Sequence, residues 1–118
     1  MAQNTSEYDT IREHFNTIAL SIQNDLTQIS SKFLSVGLLN QHQARAARSS
    51  NTAKEDRAAE VTDIILTKTL LDRNNYYKFI ELLRKGGQTY GDLVKKMDDT
   101  LKLKKILEKA APFQPGTL

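Results

Sequence analysis

Apolar residues are densest between Val61 and Leu83, in two groups separated by the polar run 72–75. Within each group they recur at intervals of three and four, which places side chains on one face of a helix. Two buried helices that meet in a helical hairpin are therefore predicted as the nucleus of the fold. The positions that define them are Val61, Ile64, Ile65, Leu66, Tyr76, Phe79, Ile80, Leu82 and Leu83.

A second apolar stripe covers the first third of the chain. Its members recur at alternating intervals of three and four as far as Ile22, which predicts a first helix near residues 7–22. The stripe resumes after an extra polar step at 23–25, so we expect either two helices or one sharply kinked helix. Gly37 follows, where a left-handed helix end favours glycine. The stripe consists of Tyr8, Ile11, Phe15, Ile18, Ile22, Leu26, Ile29 and Phe33.

Capping residues predict the next two helices. Asn40 can cap a short third helix that ends at Arg48, has only alanines to bury and is expected to be weakly anchored. Thr52, with Glu55 three residues later, forms a capping-box pattern at the start of a fourth helix. The inward positions expected on the fourth helix are Ala58, Val61, Ile65 and Leu66.

The C-terminal third predicts a fifth helix over about 73–85, ended by Gly86, and a sixth helix from Gln88. After Met97 the apolar positions change face, so we expect a seventh short helix that leaves the domain. The sixth helix is expected to bury Tyr90, Leu93, Val94 and Met97, whereas Leu103, Ile106 and Leu107 define the new face.

These elements suit a single helical domain. At 118 residues the chain is long enough to bury a substantial core. We expect a disordered N-terminus over 1–7, a helical bundle over 8–99, and an amphipathic tail helix with a linker over 100–118. Because the chain lacks an apolar run of about 20 residues and a signal-peptide pattern, we expect no membrane span and a cytoplasmic location.

The residue types argue against catalysis and against bound cofactors or metals. Cysteine is absent, which excludes disulfides, thiolate metal sites and a cysteine nucleophile. Neither His14 nor His42 has a second ligand at helical spacing. Adjacent carboxylates such as Asp98 and Asp99 point about 100° apart on a helix and cannot form an acid/base pair. We therefore expect no enzymatic activity, no cofactor and no metal.

Charge is mild overall but unevenly placed. The net charge is +3, with six basic and seven acidic residues in 1–60 but eleven and seven in 61–118. Arg45 and Arg48 lie on the short third helix, which buries little and must present them outward, and Arg57 follows nearby. Arginines on an exposed helix can supply the bidentate contacts of an interface. These three arginines are either a partner-binding cluster or ordinary solvated surface.

With six short helices placed, the chain resembles the caspase recruitment domain (CARD), a member of the death-fold superfamily, over about residues 8–99. The similar stretches are IREHFNTIALSIQNDLTQISSKFLSVGLL, TAKEDRAAEVTDIIL and YYKFIELLRKGGQTYGDLVKKM. The most distinctive features are a Gly-Leu-Leu turn, then Arg57, Ala58 and Ala59 opening the fourth helix, then Tyr76, Phe79 and Leu83 before a glycine.

The resemblance implies an all-α, six-helix antiparallel Greek-key bundle with a kinked first helix, here with an extra C-terminal helix. It also implies no enzymatic activity and homotypic assembly, including filaments, with itself or other CARD-containing proteins in apoptotic or innate-immune signalling. Two features depart from the family: a longer connection, TKTLLDRNN, and an inverted charge layout. Family members commonly have a basic fourth and an acidic third helix, whereas here the third is basic and the fourth acidic. The candidate partner-binding residues are Arg12, Arg45, Arg48, Glu55, Asp56, Arg57, Glu60 and Asp63.

Two other functions are compatible with the sequence. One is a small helical nucleic-acid-binding domain that uses Arg45, Arg48 and the lysine-rich tail. Acidic residues interleave with basic ones nearly everywhere except in the tail, which makes nucleic acid an improbable partner. The other is an oligomerisation unit whose tail continues into a coiled coil. The change of face after Leu101 argues against the sustained heptads that a coiled coil needs.

Overall fold

The computed structural model describes residues 5–110, which form seven α-helices and no strand. The predicted all-α class is therefore confirmed. A 3-10 turn over Gly87–Tyr90 precedes the last helix. The helices are α1 Ser6–Glu13, α2 Phe15–Ile22, α3 Leu26–Ser35, α4 Gln41–Arg48, α5 Lys54–Leu71, α6 Asn74–Lys85 and α7 Gly91–Ala110.

The N-terminal stripe forms three helices. The break at 23–25 is confirmed, but the helix predicted over 7–22 is also interrupted, at His14, whose backbone departs from helical geometry. The His14 ring lies 2.8 Å from the Thr100 hydroxyl on α7. This contact joins residues 86 positions apart, so it cannot be predicted from the spacing of apolar residues along the chain.

Local chemistry determines the ends of several helices. Gly37 has a φ of +82°, as the glycine after the stripe predicts. Asn40 caps α4 through a reciprocal pair of hydrogen bonds with Gln43, at 2.7 and 2.9 Å. The capping box predicted at Thr52 is wrong, because Ala53 occupies the N-cap position of α5 and no side chain caps it. The Thr52 carbonyl instead accepts a hydrogen bond from Arg57.

The core is built around α5, which packs against α1, α2, α4 and α6. The predicted α5–α6 hairpin is confirmed, with Ile65 and Phe79 fully buried and Leu66 only partly buried. The rings of Phe33 and Phe79 lie 5.6 Å apart and join α3 to this hairpin. Among residues 5–110, no helix combines the length and apolarity that crossing a membrane requires.

The last helix differs from the prediction. Its residues run without a break from Gly91 to Ala110, so no separate seventh helix follows Met97, and residues 99 and 100 lie within one helix. Leu101 is buried with the preceding stripe. The apolar residues that follow the change of face lie on an exposed side of the same helix. Leu103, Ile106 and Leu107 are 59%, 61% and 60% exposed.

At the N-terminus, the first helix begins within the segment that was expected to be disordered. Ser6 and Glu7, expected within a disordered segment, begin α1 and are buried. Residues 1–4 of that segment and residues 111–118 of the expected linker lie outside the described residues.

A buried carboxylate joins three helices. The Glu7 side chain is 1% exposed and contacts Arg73 and Lys105, each at 3.1 Å, while the Tyr77 hydroxyl donates a 2.5 Å hydrogen bond to it. Burial raises the pKa of Glu7, but the hydrogen bonds from Tyr77, the backbone, Lys105 and Arg73 together lower it to about 2. Glu7 therefore stays ionised and links α1 to α6 and α7.

Further polar contacts hold the second half of α7 against α1. Ser6 donates a hydrogen bond to Glu108, and Lys104 forms an ion pair with Glu13 at 3.4 Å. Leu101 is the last apolar side chain that α7 buries among the residues whose side chains are described. The tail is thus part of the bundle, and polar groups attach most of its length.

Removing residues 101–118 is therefore expected to destabilise the protein. The truncated chain loses the buried Leu101 side chain and the Lys105 partner of Glu7, for a cost of about 2 kcal/mol. Thermal melting followed by circular dichroism measures the effect. A chain ending at Ala110 is the control, and an unchanged melting temperature in the shorter chain would show that the α1–α7 contacts add no stability.

Candidate functional site

A groove of about 320 Å³ lies between α4 and α5. α4 buries only alanines against the bundle, and Ala46 and Ala47 project a single methyl group each beside α5. Larger side chains would fill this space, as close packing in protein interiors usually requires. The lining residues are His42, Gln43, Ala46, Ala47, Thr52, Asp56, Arg57, Glu60, Val61 and Ile64.

The groove has an apolar floor and an acidic rim. Val61 is buried and Ile64 half-buried, so both present carbon surface between the helices. Asp56 and Glu60 are exposed one turn apart on α5, and neither forms an ion pair within residues 5–110. The arrangement suits an apolar segment that carries positive charge.

Arg57 has a structural role at one end of the groove. Its guanidinium donates hydrogen bonds to the carbonyl of Ala47, at 2.8 Å, and to the carbonyl of Thr52, at 2.9 Å. These bonds tie the end of α4 to the loop before α5 and satisfy backbone acceptors that the helix end leaves open. The positive charge of Arg57 is therefore directed at the protein's own backbone.

Arg45 and Arg48 lie on another side of α4. Both are exposed, and Arg48 reaches α3, where its Nη1 lies 3.4 Å from the Ser31 hydroxyl. The helical period turns both away from the groove side, which carries His42 and Ala46. The structure therefore does not join Arg57 with this exposed basic pair into the cluster that the sequence suggested.

The remaining predicted residues lie apart from the groove. Glu55 and Asp63 are exposed on α5 but do not line it. Arg12 is on α1, where it pairs with Asp9 at 3.2 Å and lies over the Tyr8 ring, 5.8 Å from its centre. Of the eight predicted residues, the groove brings together Asp56, Arg57 and Glu60.

Sequence reasoning missed the groove itself. The signal was present in the alanines of α4, which were correctly read as a weak apolar face. A short helix with only methyl groups on its inner side leaves space wherever its neighbour does not fill it. Which side chains of α5 border that space depends on how the two helices cross, and spacing along the chain does not specify a crossing.

Comparison with known proteins finds no family model, no curated protein and no solved structure that matches this chain.

Proposed function

We propose that the protein is a non-enzymatic interaction module with a CARD-like, Greek-key death fold. Its function is homotypic assembly, with itself or other CARD-containing proteins, in cytoplasmic apoptotic or innate-immune signalling. The sequence resemblance supports the family and the pathway. The observation that carries the assembly function is the placement of exposed opposite charges: Arg45 and Arg48 on α4, and the acidic residues of α5, among them Glu60 and Asp63.

Such a distribution favours head-to-tail association. The basic pair and the acidic residues lie on different helices and form no ion pair with each other in one molecule, within the described residues. A contact between unlike surfaces of successive copies does not close unless its rotation forms a ring, so it can produce open filaments. Exposed ion pairs contribute about 0–1 kcal/mol each and are screened by salt, so several must act together.

Reversing the basic pair is expected to abolish assembly. Arg45→Glu with Arg48→Glu should leave the melting temperature nearly unchanged, because both side chains are exposed. Adding Glu60→Lys with Asp63→Lys should restore part of the association, because the charges are again complementary. Light scattering and negative-stain images at low and moderate salt measure assembly.

A matched control distinguishes an effect of this surface on assembly from an effect of the net charge. Lys78→Glu with Lys85→Glu changes the net charge by the same amount at two exposed positions of α6, and it should assemble like the wild type. If the Arg45/Arg48 reversal also assembles like the wild type at every salt concentration, the basic pair is solvated surface and the proposed contact is wrong.

The alternative of a nucleic-acid-binding domain gains no support from the tail. Lys104 and Lys105 contact the acidic side chains of α1 at 3.4 and 3.1 Å. Two of the lysines that would meet phosphates therefore neutralise acidic groups of the protein itself, which reduces the basic surface that nucleic acid requires.

A further inference from the structure

Within the described residues 5–110, an apolar stripe on α7 is left largely uncovered by the rest of the bundle. Leu103, Ile106 and Leu107 are about three-fifths exposed, and their helical spacing places them on one side of α7. The other side carries Lys104 and Lys105, which contact α1. Because these contacts hold α7 in place, the stripe faces away from the bundle and cannot turn towards its own α4–α5 groove.

The groove and the stripe have complementary properties. At about 320 Å³, the groove is near the lower end of the range of binding pockets, about 300–1,000 Å³, a size that suits a few aliphatic side chains. Its floor is apolar, and its rim carries the carboxylates of Asp56 and Glu60. The stripe offers three large aliphatic side chains, and the exposed Lys102 lies beside them.

We infer that the α4–α5 groove binds the α7 stripe of a second copy of this chain, an inference that rests on the proposed self-assembly and names a contact within it. The leucine and isoleucine side chains enter the apolar floor, as in other complexes of an amphipathic helix with a groove. Lys102 then lies near the acidic rim. A second copy is the occupant because its charge matches the rim and because one molecule cannot bring its own stripe to its own groove.

This contact joins two unlike surfaces. Each copy offers one groove and one stripe, so a bound pair still has a free groove at one end and a free stripe at the other. Further copies can therefore add at either end, as the proposed open assembly requires. The stripe–groove contact does not use the Arg45/Arg48 pair, which lies on the other side of α4. Glu60 belongs both to the groove rim and to the acidic residues of α5 that are proposed to meet that pair.

Two variants should each block assembly, one by changing the groove and the other by changing the stripe. Ala46→Arg fills the groove from an exposed position, and Leu103→Glu with Leu107→Glu removes the stripe from two exposed positions. Each is expected to raise the concentration needed for half-assembly at least tenfold while leaving the melting temperature unchanged. Leu20→Glu with Leu71→Glu is the matched control, because these leucines are 63% and 81% exposed, on α2 and at the end of α5, and neither lines the groove.

Mixing the two blocked variants provides the decisive measurement. The Ala46→Arg chain retains its stripe and the Leu103→Glu, Leu107→Glu chain retains its groove, so an equimolar mixture should form a one-to-one pair that cannot grow. Analytical ultracentrifugation of each full-length chain and of the mixture measures the mass. A mixture that stays monomeric overturns the inference, as does wild-type assembly by the Ala46→Arg chain, which would mean that the stripe binds a different surface or a lipid.

The same samples distinguish this inference from the proposed function. If the Arg45/Arg48 reversal blocks assembly and the groove and stripe variants do not, the stripe–groove contact is wrong and the proposed function stands. If the wild-type chain stays monomeric at every concentration and salt level, self-assembly and the stripe–groove contact are both wrong.

Discussion

Phe79→Ala is expected to lower the free energy of unfolding by about 3–5 kcal/mol, because it removes a large buried side chain and leaves a cavity. Phe79 is fully buried in α6 and its ring lies 5.6 Å from that of Phe33, so it joins the central hairpin to α3. Ile65→Ala, at a fully buried position of α5, should cost about 2–5 kcal/mol by the same mechanism.

Urea unfolding followed by circular dichroism measures both effects. Leu20→Ala is the matched control, because Leu20 is 63% exposed and its truncation should change stability by less than about 0.5 kcal/mol. Changes below about 0.5 kcal/mol at both Phe79 and Ile65 would show that the α5–α6 hairpin is not the centre of the core.

Glu7→Gln is expected to destabilise the protein by about 2–3 kcal/mol at pH 7. The carboxylate is buried, and its pKa falls from 4.5 to about 2; each pKa unit corresponds to about 1.4 kcal/mol. The expected loss of stability is smaller than the pKa shift multiplied by this energy per unit. The reason is that Arg73 and Lys105 are 48% and 41% exposed and water screens their charge.

The same variant has a defined pH dependence. Folding lowers the pKa of Glu7. Its contribution to stability is therefore complete when the pH is above 4.5, the pKa in the unfolded chain, and is lost as the pH falls towards about 2. The stability difference between the wild type and Glu7→Gln should therefore be constant from pH 5.5 to 7 and narrow steadily below pH 4.5.

A second acidic residue provides the control for this measurement. Glu81→Gln removes a carboxylate that is 58% exposed and lies 3.7 Å from Arg84, so its effect should stay below about 1 kcal/mol at every pH. A wild-type to Glu7→Gln difference that does not change between pH 7 and pH 2 would show that Glu7 acts through packing and not through its charge.

Periodicity and capping chemistry were enough to predict most of the helices. The α5–α6 hairpin, the end of α3 at Gly37 and the cap of α4 at Asn40 follow from interactions within a few residues. The buried residues of the first part of α7 follow from the same spacing, since a helix places every third or fourth residue on one face whatever its surroundings.

The candidate site was only partly predictable. Asp56 and Glu60, two candidates from the sequence, are exposed and border the groove. Arg57, a third candidate, is held by two backbone carbonyls. Composition identifies a side chain that is able to make a polar contact. It does not say whether the partner is another protein or a neighbouring turn of the same chain.

The sequence by itself therefore determined the helical class, the central hairpin and the ends that local chemistry specifies. The tertiary structure alone decided the break at His14, the burial of Glu7, the open groove beside α4 and the direction in which the α7 stripe faces. These features depend on contacts between residues far apart in the chain, such as Glu7 with Arg73 and Lys105. Helix crossing and packing set such distances, and a periodic pattern along one helix carries no information about them.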